Sequence, residues 1–195
     1  MRRMVLASTS VFRQQLLQRL GVPFDVAAPN VDETPRPGES EFRLVKRLAE
    51  AKARAVAPQF PDALIIGCDQ VAILDEKIIG KPGNRDNTIA QLRAASGRVL
   101  DFLTGVCVVD SASGHALCDV EPFAVHFRDL GDQEIQAYVD REQPYGCCGG
   151  FKSEGLGVTL FERLSGDDPT ALIGLPLIKL YKMLKHSGLD VLTRR

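Results

Sequence analysis

The sequence predicts an α/β protein with a mixed sheet, because strand-like and helix-like segments alternate along its 195 residues. The compact apolar run Ala63–Asp69 is typical of a buried strand, whereas the segment that Ser40 caps repeats apolar residues at helical spacing to about Val56. Two long strand-like segments, Val99–Val109 and His115–Phe127, are separated only by a turn. So short a connection indicates an antiparallel pair and argues against a purely parallel sheet.

The N-terminal third is predicted to contain a strand, a helix and a loop before the helix that Ser40 caps. Met4–Ala7 is apolar and strand-sized, and Val11–Leu20 places Leu16, Leu17 and Leu20 on one helical face. Residues 30–38 are rich in proline and acidic side chains, which indicates a loop.

The remaining elements follow from turn signals and helical spacing. Val71–Leu74 and Lys77–Ile79 flank Asp75 and Glu76, which predicts a tight hairpin. The other predicted elements are a helix over Asn87–Ala95, a helix from Asp132 to Arg141, a loop from Pro144 to Gly157, a strand over Val158–Leu164 and a helix from Pro176 to Gly188.

Composition excludes several classes of protein. The net charge of −1 gives no global attraction to nucleic acid or to an anionic membrane. No apolar run is long enough for a transmembrane helix, and polar residues follow the first strand too soon for a signal peptide. The five cysteines are odd in number, scattered and without a C-x-x-C pair, which indicates reduced thiols in a cytoplasmic protein.

A phosphate site is one interpretation of Ser8, Ser10 and Arg13, which lie between the first strand and the first helix. Unpaired amides and a partial positive charge at a helix N-terminus favour anions, and the hydroxyls and the arginine would complete the cradle. Spacing alone favours the alternative, in which Ser10 is a simple N-cap and Arg13 lies on a solvated face.

Asp69 follows an apolar strand, where α/β proteins commonly carry functional side chains. A carboxylate there can bind a divalent metal or take a proton from water. The alternative is an aspartate that only forms a turn.

The other charged candidates are isolated in the sequence. Glu33 lies in the proline-rich loop, and Lys52 and Lys81 have no charged motif around them, so solvated charges are the alternative. Glu154 lies in a glycine-flanked segment that suits close approach to a ligand or is merely a flexible loop. No P-loop or dinucleotide fingerprint is present in the sequence. Composition and spacing alone therefore predict no more than an anion site in an α/β protein.

The ordered set of short motifs resembles the Maf family of nucleoside triphosphate pyrophosphatases over nearly the whole chain. The matching stretches are Leu6-Ala-Ser-Thr-Ser-x-x-Arg13, Val31-Asp-Glu33-Thr, Leu48-Ala-x-x-Lys52-Ala, Ile66-Gly-Cys-Asp69-Gln70, Gly80-Lys81-Pro82, Leu103-Thr104-Gly105, Gly150-x-x-x-Glu154-Gly155 and Ile173-Gly174-Leu-Pro176. The resemblance implies a single domain over residues 1–195, with a mixed twisted sheet flanked by helices and two lobes around a deep cleft, similar to inosine triphosphatases.

Within the family, the chain looks closest to the YceF-type branch, which is associated with 7-methyl-GTP. The branch that hydrolyses dTTP and UTP typically differs from this chain at Phe12, Gln70 and Glu154. These three residues are therefore expected to set substrate specificity.

The resemblance also implies the roles of the other residues. Asp69 would be the general base and, with Glu33, would bind Mg²⁺ or Mn²⁺. The residues expected to hold the substrate phosphates are Ser8, Ser10, Arg13, Lys52 and Lys81. The expected partner is a small nucleotide, with no nucleic acid or membrane, in a cytoplasmic enzyme, and the resemblance also implies a homodimer. The alternatives are a dTTP/UTP pyrophosphatase and a nucleotide-binding regulator of cell division without turnover.

Overall fold

A computed structural model describes residues 2–193 of the chain. The chain divides into two compact units. The first unit comprises Met1–Gln70, Leu103–Glu121 and Asp168–Arg195, and the second comprises Val71–Phe102 and Pro122–Asp167.

Strands and helices alternate along the described residues. The strands are β1 (Arg3–Leu6), β2 (Asp25–Val26), β3 (Ala63–Leu74), β4 (Lys77–Ile79), β5 (Val99–Asp110), β6 (Ala116–Phe127) and β7 (Phe161–Ser165). The helices are α1 (Val11–Gln18), α2 (Glu41–Val56), α3 (Arg85–Ala95), α4 (Asp132–Glu142), α5 (Pro169–Ile173) and α6 (Leu177–His186).

The sheet of the first unit has the strand order β2-β1-β3-β5-β6, with β1 parallel to both β2 and β3. Alternate residues of β1 lie in different apolar clusters: Met4 and Leu6 pack with residues of α1 and α6, whereas Val5 packs with residues of α2. Because strand side chains alternate between faces, helices cover both faces of this sheet.

Helix α2 lies unusually close to the sheet of the first unit. A Cβ atom added to Gly67 of β3 would lie 2.0 Å from the carbonyl oxygen of Ala49 and 2.8 Å from the backbone nitrogen of Ala53. At Gly105 of β5, an added Cβ would lie 2.3 Å from the carbonyl oxygen of Val45. Both glycines are therefore required for the helix backbone to contact the strands directly.

In the second unit, the strand order is β4-β3-β5-β6-β7, and the β3–β4 and β6–β7 pairs are antiparallel. Asp75 and Glu76 both have positive φ, as the primed turn of a two-residue hairpin requires, so the predicted hairpin is confirmed. The core contains four phenylalanine rings with edge-to-face contacts at centroid separations of 4.9–5.7 Å: Phe102, Phe127, Phe151 and Phe161.

The predicted class, an α/β protein with a mixed sheet flanked by helices, is confirmed. The chain also forms two compact units, whereas the cleft between lobes and the single-domain organisation stay predictions. No helix of the described residues is both long enough and apolar enough to span a bilayer.

Several element boundaries differ from the predictions. β3 does not end at Asp69 but continues to Leu74. The strand predicted over Val158–Leu164 begins only at Phe161, because a 3₁₀ helix occupies Leu156–Leu160. The sequence prediction missed β2 and α5, which are only two and five residues long. Such short elements carry almost no periodic signal.

The prediction of reduced thiols is wrong for Cys107 and Cys118, which form a disulfide between β5 and β6. The backbone N–H of Asp110 donates to the carbonyl of His115 across the hairpin turn. Cys107 and Cys118 each lie three positions from this pair along their strands, so the register places them opposite one another. Strand register, which cysteine spacing does not reveal, brings them together.

We expect Gly67→Ala to lower the free energy of unfolding by about 3 kcal/mol or more, because its methyl group would collide with the backbone of α2 rather than with a movable side chain. Chemical denaturation measures the change. Gly146→Ala is the matched control, since a Cβ there meets no atom within 4 Å. Equal stability of the two variants would contradict the tight packing of α2 on β3.

Candidate active site

The central feature of the candidate site is an ion pair between α2 and β3. Lys52 Nζ lies 2.6 Å from Asp69 Oδ1, and the two residues are only 6% and 7% exposed. Asp69 follows Gly67 by two residues and so faces α2. Lys52 follows Leu48 by four residues and Ala49 by three, which puts it on the buried stripe of the helix. The close packing of α2 therefore brings lysine and carboxylate together.

The prediction of Lys52 as a solvated charge, which was the alternative to a functional role, is wrong. Its position within the stripe formed by Val45, Leu48, Ala49 and Ala53 was the available signal, because a lysine on an apolar helical face must find a buried partner.

Burial of Asp69 raises the pKa of its carboxyl group above the ordinary value, because desolvation disfavours the charged form. The positive charges of Lys52 and Arg13 oppose this effect, whereas Glu33 adds to it. A carboxylate with a raised pKa is a better proton acceptor, which is what activation of a water molecule requires.

Glu33 joins the same ion-pair cluster from the loop before α2. Its Oε1 lies 2.8 Å from Lys52 Nζ, and 61% of its side chain is exposed. Arg47 of α2 tethers the loop: its guanidinium makes hydrogen bonds of 2.6 and 2.7 Å to both oxygens of Glu39 and one of 3.2 Å to the carbonyl of Thr34. The same guanidinium lowers the pKa of Glu39 to about 2, so this anchor stays charged.

The described residues contain no cluster of three or more His, Cys, Asp or Glu side chains able to enclose a metal ion. Glu33 and Asp69 nevertheless converge on one cation, the ammonium group of Lys52. Two carboxylates fit Mg²⁺ or Mn²⁺, which commonly take one or two protein carboxylates and complete their coordination with substrate phosphates and water.

Arg13 lies beside this cluster and is held by main-chain carbonyls. Its Nε donates to the carbonyl of Gly174 at 2.9 Å, and its Nη1 donates to the carbonyl of Cys68 at 3.0 Å. The Oγ of buried Ser8 lies 3.5 Å from Nη1 and accepts from the backbone N–H of Ser10 at 3.2 Å. The predicted solvated position of Arg13, the alternative to phosphate binding, is wrong.

Ser10 caps α1, because its Oγ accepts from the backbone N–H of Arg13. This contact agrees with the alternative of simple N-capping, and phosphate binding by Ser10 stays a prediction. Phe12 is half-buried on the first turn of α1.

Gln70 is held by hydrogen bonds within the first unit. Its side-chain amide nitrogen lies 2.8 Å from the carbonyl oxygen of Ala171 and 3.0 Å from Oγ1 of Thr104. The structure therefore brings Ser8, Ser10, Phe12, Arg13, Glu33, Lys52, Asp69 and Gln70 into the same unit.

Lys81 and Glu154 lie in the second unit, and both are exposed. They also share an electrostatic neighbourhood around Cys147. Burial raises the pKa of that thiol, Glu154 raises it further, and Lys152 and Lys81 lower it. The contribution of Lys81 and Glu154 to a nucleotide site stays a prediction.

The sequence prediction missed the part played by the segment around α5. The buried carboxylate of Asp168 accepts hydrogen bonds from the N–H and hydroxyl of Thr170 and from the N–H of Ile178, so it caps α5 and contacts α6. The segment ends at Gly174, whose carbonyl accepts from both Arg13 and the thiol of Cys68. An aspartate directly before Pro169 is a signal for a helix cap, which the sequence offered. The local sequence does not show, however, which distant residues this segment contacts.

The fold of this chain has a counterpart among solved protein structures. It is similar to the Staphylococcus aureus Ham1 protein, with a TM-score of 0.56 at 14% identity over 95% of this chain and 100% of that one. At this identity, the likeness concerns the fold.

The chain belongs to the Maf family, because the sequence model of that family, described as Maf-like protein, matches residues 3–187. A relative from Pseudoalteromonas translucida named 7-methyl-GTP pyrophosphatase is 55% identical over 97% of this chain and 94% of its own length. Relatives of the same name from Colwellia psychrerythraea and Nitrosococcus oceani are each 53% identical, over 100% and 97% of this chain and 98% and 95% of their own lengths.

We expect the pKa of Asp69 in metal-free protein to exceed that of an ordinary aspartate, and Lys52→Met to raise it further. Burial raises the pKa and Lys52 lowers it, so removal of the lysine leaves only the weaker effect of Arg13 to oppose desolvation. Carboxyl ¹³C NMR with EDTA present measures the titration. Exposed Lys46 on the same helix gives the control Lys46→Met. A lower pKa in Lys52→Met would contradict the assigned electrostatics.

Proposed function

We propose that this chain hydrolyses 7-methyl-GTP to 7-methyl-GMP and pyrophosphate. Two observations support the proposal: relatives that share more than half of its residues bear the name of this activity, and a buried carboxylate is available as a base. The observation that carries the chemistry is Asp69, which is buried, charge-paired and raised in pKa.

In the proposed reaction, Asp69 accepts a proton from a water molecule as the water oxygen bonds to the α-phosphorus. The bond from this phosphorus to the oxygen that bridges to the β-phosphate breaks, and pyrophosphate leaves with both electrons of the bond. Negative charge spreads over the phosphoryl oxygens in the transition state, so positioned cations and hydrogen-bond donors supply most of the stabilisation.

The proposed phosphate-binding residues are Arg13, Lys52, Lys81, Ser8 and Ser10. The geometry supports this role for Arg13, because its hydrogen bonds to main-chain carbonyls fix the guanidinium before any ligand binds. Glu33 and Asp69 would hold Mg²⁺ or Mn²⁺, which would neutralise charge on the substrate phosphates.

Phe12, Gln70 and Glu154 are proposed to select the base. Methylation at N7 gives guanine a delocalised positive charge, which a carboxylate attracts and an aromatic face stabilises. Glu154 and Phe12 supply these two groups, whereas Gln70 supplies a polar group.

The proposed partner is therefore a small nucleotide rather than a nucleic acid or a membrane, in agreement with the near-zero net charge. We further propose a cytoplasmic enzyme that forms a homodimer. Light scattering on the purified chain tests the dimer, and a monomer mass at micromolar concentration would contradict it.

The decisive experiment measures pyrophosphate release from 7-methyl-GTP, GTP, dTTP, UTP and CTP with Mg²⁺ or Mn²⁺. We expect 7-methyl-GTP to be preferred and Asp69→Asn to lower kcat by about 100- to 10,000-fold, the usual value of a general base. Asp101→Asn, at an exposed aspartate of β5, is the control. A preference for dTTP and UTP would overturn the assigned substrate, and binding without turnover would favour a regulator.

We expect Glu154→Gln to lower the ratio of kcat/KM for 7-methyl-GTP to that for GTP by about 2- to 5-fold. The residue is exposed, so solvent screens its attraction for the cationic base and the effect stays modest. Glu162→Gln, at another exposed glutamate, should leave the ratio unchanged. An unchanged ratio in Glu154→Gln would remove this residue from base selection.

A further inference from the structure

Thr104 of β5 is a buried hydroxyl residue that the proposed reaction does not use. It is 0% exposed, and its Oγ1 lies 3.0 Å from the carbonyl oxygen of Ala171 and 3.0 Å from Nε2 of Gln70. A hydroxyl has one hydrogen, and a carbonyl oxygen can only accept. Thr104 therefore donates to Ala171 and accepts from Gln70.

The same contacts fix the orientation of the Gln70 carboxamide. The group that faces Ala171 and Leu172 lies 2.8 and 3.2 Å from their carbonyl oxygens, so it must be the amide nitrogen. If the carboxamide were reversed, Oε1 would face two carbonyl oxygens that can only accept, and the Thr104 hydroxyl could donate to Oε1 only by giving up its hydrogen bond to Ala171. The orientation thus follows from donor and acceptor chemistry.

The two amide hydrogens of Gln70 are consumed by these three acceptors from Thr104, Ala171 and Leu172. Among residues 2–193, no donor forms a hydrogen bond to its Oε1. This oxygen lies toward Gly174 and Arg13, since a Cβ added at Gly174 would be 3.4 Å from Nε of Arg13 and 4.0 Å from Oε1 of Gln70. Gln70 therefore has one remaining hydrogen-bonding function, an acceptor on the side of Arg13.

We propose that Thr104 is a positioning residue that locks Gln70, so that Gln70 offers only an acceptor oxygen to an N–H donor of the nucleotide base. A locked acceptor favours the guanine edge, where the ring N–H and the amino group are adjacent donors. It disfavours bases whose edge presents mostly acceptors, such as thymine and uracil. A freely rotating carboxamide could turn either its donor nitrogen or its acceptor oxygen toward the base, so it would bind both kinds of base edge. This inference rests on the proposed function, because it takes Gln70 to contact the base.

The test uses Thr104→Val, which keeps the shape of the side chain and removes the hydroxyl, and Thr104→Ser, which keeps the hydroxyl. Thr104→Ala replaces the valine variant if it does not fold. We measure kcat/KM for 7-methyl-GTP and dTTP, together with the dissociation constants of both nucleotides for the metal-free protein. Melting temperatures record any purely structural effect.

We expect Thr104→Val to reduce the preference for 7-methyl-GTP over dTTP by about 3- to 10-fold, as the loss of one neutral hydrogen bond predicts. Thr104→Ser should retain the preference. In a Gln70→Met background, Thr104→Val should change the preference no further, because Thr104 acts through Gln70.

A lower melting temperature with an unchanged nucleotide preference in Thr104→Val would overturn the inference, since Thr104 would then be merely structural. An equal change in the Gln70→Met background would also overturn it. If the wild-type chain turned over neither nucleotide, the proposed reaction would fail, while the ratio of dissociation constants would still decide the role of Thr104.

Discussion

The candidate site depends on the direct contact between the backbone of α2 and strand β3. Gly67 leaves no side chain between the strand and the carbonyl of Ala49, so the helix lies flush against the sheet. Lys52 lies about one turn after Ala49 on the helix, and Asp69 lies two residues after Gly67 on the strand. Their side chains therefore meet, with Lys52 Nζ 2.6 Å from Asp69 Oδ1. A larger residue at position 67 would move the helix outward and separate the two charges, and either one alone would be costly to bury.

A second constraint comes from the C-terminal segment that returns to the first unit. The carbonyl of Gly174 accepts from both Arg13 and Cys68, and the carbonyls of α5 accept from Gln70. These acceptors hold side chains on either side of Asp69 in the sequence, as well as the arginine of α1. The segment itself is fixed by the buried carboxylate of Asp168. Residues separated by more than 100 positions therefore determine the geometry around one carboxylate.

Local charge matters more here than the overall balance of the chain. The net charge of −1 gives no attraction for an anionic nucleotide, yet the first unit gathers Lys52 and Arg13 around a buried carboxylate. Burial of Asp69 raises its pKa by desolvation, whereas the neighbouring positive charges lower it, and desolvation is the larger effect. The result is a carboxyl group whose pKa is raised while two cationic side chains remain beside it, an arrangement suited to water activation next to a polyanion.

The sequence by itself determined the mixed α/β class, the helix that Ser40 caps, the Asp75–Glu76 hairpin and, through its ordered motifs, the family. These features rest on local periodicity, capping and turn chemistry, which neighbouring residues specify. Only the tertiary structure decided that Lys52 is buried against Asp69, that Cys107 lies opposite Cys118, and that Thr104 and α5 hold Gln70. Strand register and the approach of distant segments fix these contacts, and a one-residue shift in register would turn the same side chains to the other face of the sheet.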